Sequence, residues 1–132
     1  MVLVAIFLLG LVAVAGLVAD GGMVLAQRRD LQNVADAAAA AGAMQLDEAA
    51  YRASGGSEVS LDDGAAYTAA VGYLAAEDGM TYAVTASPTR VEVAVSRGAS
   101  TAFLRVLGID SVTISARASA EPRHGVLAAV VP

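Results

Sequence analysis

The residues able to do chemistry in this chain are few, and most stand at spacings that do not favour it. Asp47-Glu48 and Glu77-Asp78 are adjacent carboxylate pairs, and on a helix neighbouring side chains diverge instead of converging on one substrate. They read as solvated helix ends. The one histidine, His124, stands beside Gly125 in the tail and reads as a solvated residue, not a base or a metal ligand. Gly55-Gly56 lacks the Gly-x-x-x-x-Gly-Lys spacing that cradles a phosphate. Tyr51, Tyr67, Tyr73 and Tyr82 suit a core or an interface better than a ligand cage. With no cysteine in the chain, disulfides, thiolate metal sites and cysteine nucleophiles are all excluded. The expectation is a chain that is not an enzyme, with no cofactor and no metal.

Asp20 is the exception. It closes an uncharged run, MVLVAIFLLGLVAVAGLVA over residues 1–19, and residues 21–27 add only Gln27 as a strongly polar group. An ionisable group beside so much apolar sequence is costly and normally finds a partner or an interface. Asp20 could take a proton, reach a headgroup region, or pair with a cation of another subunit. Arg28 is two turns further on, beyond the i+3 or i+4 reach of a pair within one helix. Pairing between subunits, with Arg28, Arg29 or an N-terminal amine of a neighbour, is the attractive solution if the chain polymerises.

The element that must position Asp20 is a long helix. The apolar run meets the threshold of about 18 residues for a membrane span, and residues 1–27 would rise roughly 40 Å as helix. A signal peptide fits less well, because the basic n-region is missing and helical sequence continues past residue 27. No proline precedes Pro88, and after Gly22 the next glycine is Gly42. Helix is therefore expected over about 2–53, stopped by Ser54-Gly55-Gly56. The alanine run at 37–41 supports it, since alanine has the highest helix propensity. Ala15, Ala19, Gly22 and Ala26 fall on one stripe, a pattern that lets helix backbones approach closely in apolar surroundings. Alanine is abundant enough here that some stripe would also arise without that purpose.

Charge gives conflicting signals about orientation. Arg28 and Arg29 follow the apolar segment, so the positive-inside rule places the C-terminal part in the cytoplasm. A chain opening on Met1-Val2-Leu3, however, looks trimmed of a polar leader, which makes the visible charges a partial count. A net charge of −5 argues against a nucleic-acid partner, which favours a basic surface.

Residues 54–132 read as a small α+β domain, with a three- to four-stranded sheet and two short helices. Ser60-Leu61-Asp62-Asp63 resembles a capping box with Ser60 as N-cap, opening a helix to about residue 76, which Glu77-Asp78-Gly79 ends. MTYAVTA and RVEVAVS alternate around a turn at Ser87-Pro88-Thr89, with Tyr82 and Val84, then Val91, Val93 and Val95, on one face. Ser100 could cap a two-turn helix over 101–107, closed by Gly108. A third strand follows with Val112, Ile114, Ala116 and Ala118 inward, and the segment between strands is long enough for a crossover connection. The tail GVLAAVV could add an edge strand or dock on a neighbour.

Two stretches carry a family resemblance. Asp20-Gly21, Arg28-Arg29, Leu31-Gln32-Asn33 and Ala35-Asp36-Ala37-Ala38-Ala39 resemble the N-terminal pattern of tight-adherence (Tad) pilus-assembly proteins of the TadE/TadG-like kind. TAFLRVLGIDSVTISARASA at 101–120 looks like that family's C-terminal element. The resemblance implies a pilin-like protein, with a membrane-inserted helix over 1–53 (apolar over 1–27) and a small extracytoplasmic domain over 54–132. Larger members add a von Willebrand-type metal-binding domain, for which 132 residues leave no room; in Asp110-Ser111-Val112, valine stands where that motif needs a hydroxyl. Type IV pilins generally carry glutamate at the fifth mature position, and here that position, counted from Met1, is Ala5.

Three functions fit these features. The first is a structural subunit polymerising through its N-terminal helix into an adhesive surface filament, held in the inner membrane before assembly and partnered by itself and the pilus-assembly machinery. The second is a membrane-anchored minor pilin or assembly factor. The third is a single-span anchor whose domain binds a ligand or an envelope partner. Ala15, Ala19, Gly22 and Ala26 are the expected helix-packing residues, and Asp20, Arg28 and Arg29 the expected charge-pairing ones.

Overall fold

The computed structural model describes residues 1–123. The order of elements is α1 (Val2–Ala43), α2 (Glu48–Ala53), α3 (Asp63–Leu74), β1 (Thr81–Ser87), β2 (Arg90–Ser100), a 3-10 turn (Leu104–Leu107) and β3 (Ser111–Ala120). The fold is α+β, with a long apolar N-terminal helix and a three-stranded antiparallel sheet in the order β1-β2-β3. His124 and the tail GVLAAVV lie outside the described residues.

The sheet follows from its alternation. Val91, Val93 and Val95 are buried on the inner face of β2, opposite Ala86, Val84 and Tyr82 of β1. Ile114 and Ala116 extend that face onto β3. The core lies between this face and two helices, with Leu31, Val34, Ala35, Ala38 and Ala39 from α1 and Ala66, Ala70 and Leu74 from α3. The alanine run is thus a packing surface of the domain itself. Small side chains let α1 lie close to both α3 and the sheet. At Gly42 the approach is closest, because an added Cβ would stand 2.9 Å from the Ala66 carbonyl oxygen and 3.1 Å from both Val91 methyls.

Four expectations change. Helix does not continue to residue 53, since α1 ends at Ala43 and α2 begins at Glu48. Nothing in Met44-Gln45-Leu46 breaks a helix locally. Tertiary pairing does: Asp47 N–H donates to the Ser60 carbonyl and Asp62 N–H to the Gln45 carbonyl, around an antiparallel bridge between Leu46 and Leu61. That pairing also moves the cap of α3, so the N-cap is Asp62 and not Ser60, its carboxylate accepting the Ala65 N–H at 2.9 Å. The two-turn helix over 101–107 shrinks to one 3-10 turn, because β2 runs through Ser100 to pair with Ser111. Gly108, at φ 84°, closes the turn as expected. Finally, β2 and β3 are antiparallel neighbours, so the connection between them returns along the same sheet end and makes no crossover.

Candidate functional site

The N-terminal half of α1 extends beyond the domain's core and is largely uncovered. Ile6, Phe7, Leu9, Leu11, Val14 and Leu17 are all more than half exposed, and by length and composition the helix could cross a membrane. Burial begins in earnest at Leu31. Before that point only Gly16 and Asp20 are buried. Ala15, Ala19, Gly22 and Ala26 are exposed, so the small stripe runs beside the line that faces the domain and is open to another molecule. Arg28 and Arg29 are exposed as well, and neither joins an ion pair among the described residues.

Asp20 is placed differently from the expectation of a partner in another subunit. It is 1% exposed, and its partners belong to its own chain. Oδ1 accepts the Ala102 N–H at 2.9 Å, while Oδ2 accepts Phe103 N–H at 2.9 Å and Leu104 N–H at 2.7 Å. These donors open the 3-10 turn, whose own N-cap residue, Phe103, provides no side-chain cap. A carboxylate from another element thus supplies the acceptors that the first turn of a helix lacks. Three N–H donors satisfy the carboxylate without a counter-charge.

Gly16, one turn earlier, makes room for the same loop. A Cβ there would lie 2.5 Å from Cδ1 and 2.7 Å from Cγ of Phe103, so the ring rests on bare helix backbone. Thr101 completes the arrangement. Its hydroxyl donates to the Ile109 carbonyl and its N–H to the Asp110 carbonyl, drawing the ends of the loop together.

The alternation pattern held a signal for one further tether. Arg97 falls in the inward register of Val91, Val93 and Val95, where another apolar residue would be expected. Its side chain reaches α1 and pairs with Asp30 at 2.6 Å. Next to it Gln32 Nε2 donates to the Arg117 carbonyl of β3 at 2.9 Å. α1 is therefore fastened to the domain at Asp20, Asp30 and Gln32, over about three turns of helix. Of the other residues singled out in the sequence, Asp47 caps α2, Glu48 pairs with Arg52, and the four tyrosines are partly exposed.

A membrane-capable helix with an aspartate at its edge, followed by Arg-Arg and a Leu-Gln-Asn stretch, invites comparison with known families. Residues 1–45 match the family of putative Flp pilus-assembly TadE/G-like proteins. The match spans α1 and ends two residues beyond it, so it takes in the N-terminal motif on which the Tad resemblance rests. The stretch at 101–120 lies outside it. No curated protein and no solved structure matches the chain. Gly16, Asp20 and the small stripe all belong to the TadE/G-like segment, whereas the loop that Asp20 holds does not. A TadE/G-like segment and a membrane-capable helix fit a pilus-related protein associated with a membrane.

Proposed function

We propose that this chain is a pilin-like structural subunit of an extracellular surface filament, a homopolymer assembling through α1 and serving adhesion. Before assembly it resides in the inner membrane, where the pilus-assembly machinery is its partner. It performs no catalysis and needs no cofactor. The observation that carries this reading is the exposed apolar half of α1, projecting from a domain whose core is already complete without it. Apolar surface of that extent requires cover, first from lipid and then from copies of the same helix. The open stripe of Ala15, Ala19, Gly22 and Ala26 offers such copies a close approach.

The test is electron microscopy of material sheared from cells, with mass spectrometry of its main band. Fibres composed chiefly of this chain are the expected result. Fibres in which it is a trace component would favour a minor pilin or assembly factor. A chain that stays in the membrane fraction of cells still making normal fibres would favour a single-span anchor.

A further inference from the structure

The loop between β2 and β3 has the wrong surface for water. Val106 is 86% and Leu107 76% exposed, and Phe103 and Ile109 are close to half exposed. Elsewhere among the described residues of the domain, exposed apolar side chains are scattered; here four of them fall within seven residues. The loop also lies along the apolar part of α1. Leu104, Val106 and Leu107 share a groove of about 470 Å³ with Leu9, Val12 and Leu17. Leu9 precedes Asp20 by eleven residues, about 16 Å along the helix axis.

The geometry points to the loop as a second membrane-inserting element, whose apolar side chains enter the acyl layer of the bilayer that α1 crosses. This rests on the reading of α1 as membrane-embedded before assembly. Residues 2–19 rise about 27 Å as helix, close to the hydrocarbon thickness of about 30 Å. A loop packed beside Leu9 to Leu17 then lies at the depth of that layer. Continuity with the helix identifies lipid as the occupant.

Irregular backbone in lipid is normally prohibitive, because its polar groups lose water. This loop has largely removed that obstacle. The N–H groups of Ala102, Phe103 and Leu104 donate to Asp20. Those of Thr101, Val106, Gly108 and Ile109 donate to carbonyls of the loop itself. Asp20 is therefore the group that makes the loop compatible with lipid. The charged groups of the loop, Arg105 and Asp110, pair with each other at 3.6 Å.

The native chain has no cysteine, so single labels can be placed without other changes. Full-length Val106→Cys, Val12→Cys and Thr68→Cys, each carrying an environment-sensitive fluorophore, would be reconstituted in phosphatidylethanolamine–phosphatidylglycerol vesicles containing acyl-brominated lipid. The expected result is a loss of emission at position 106 comparable to that at 12, with none at 68 on the exposed side of α3. Quenching at 12 but not at 106 would overturn the inference while leaving the membrane reading intact. Quenching at neither would remove both. A blue-shifted, unquenched label at 106 whose shift grows with protein-to-lipid ratio would show that a second copy covers the loop, and would also overturn it.

Discussion

At the scale of single residues, Asp20 acts through geometry as much as charge. Two carboxylate oxygens serve three backbone donors at 2.7–2.9 Å. Asp20→Asn keeps one acceptor oxygen and turns the other into an NH2 group facing N–H donors. At least one buried donor is then orphaned, at a cost of about 1–3 kcal/mol. The amides of 102–104 should exchange with solvent about tenfold faster or more, while those of β2 keep their protection. Asp20→Glu retains the charge but adds a methylene to a side chain with no space around it, so it should not restore protection. Full protection in the Glu variant would mean that charge alone matters at this position.

Among the elements, the end of α1 and the start of α3 are decided together. Once residues 45–47 pair with 60–62, Asp62 becomes the residue whose carboxylate meets the free N–H groups of α3. Asp62→Ala should therefore lower stability by about 1 kcal/mol in chemical denaturation, the ordinary value of a lost cap. Ser60→Ala should change it little. The reverse ranking would restore the capping-box assignment to Ser60. Gly42→Ala gives a second test. In an isolated helix alanine is favoured over glycine by about 1 kcal/mol, yet here its methyl would press on the Ala66 carbonyl at 2.9 Å. Overpacking against backbone costs about 1–3 kcal/mol, so a net loss is expected. A raised melting temperature would show that α3 can move aside.

For the whole molecule, the proposed assembly turns on which face of α1 would meet other copies. A Cβ added at Gly22 would meet nothing within 4 Å among the described residues, and Gly22 and Ala19 are both exposed. Gly22→Leu and Ala19→Leu should thus leave the monomer's melting curve and membrane insertion unchanged. If the stripe packs helix against helix, both should reduce filament yield by forcing backbones apart. Unchanged yield and unchanged fibre diameter would show the stripe to be a by-product of alanine abundance. Gly16→Leu is the contrasting change, since it collides with Phe103 inside one subunit and should loosen the loop in the monomer.

The sequence by itself determined what local pattern controls. Uninterrupted apolar and alanine-rich residues make α1, alternation makes the strands, Pro88-Thr89 turns β1 into β2, and Gly108 closes the short turn. These follow from backbone propensity and from the periodicity of side chains, which need only near neighbours. Tertiary structure decided everything that depended on remote partners. Helix propensity is continuous through residues 43–47, so only the bridge from Leu46 to Leu61 could end α1 there. Arg97 breaks the inward apolar register, but its partner Asp30 lies 67 residues away. Asp20 was legible as a group in need of a partner. That the partner is three backbone N–H groups more than eighty residues further along the chain was not, because backbone amides are present at nearly every residue and only folding selects which of them a carboxylate will meet.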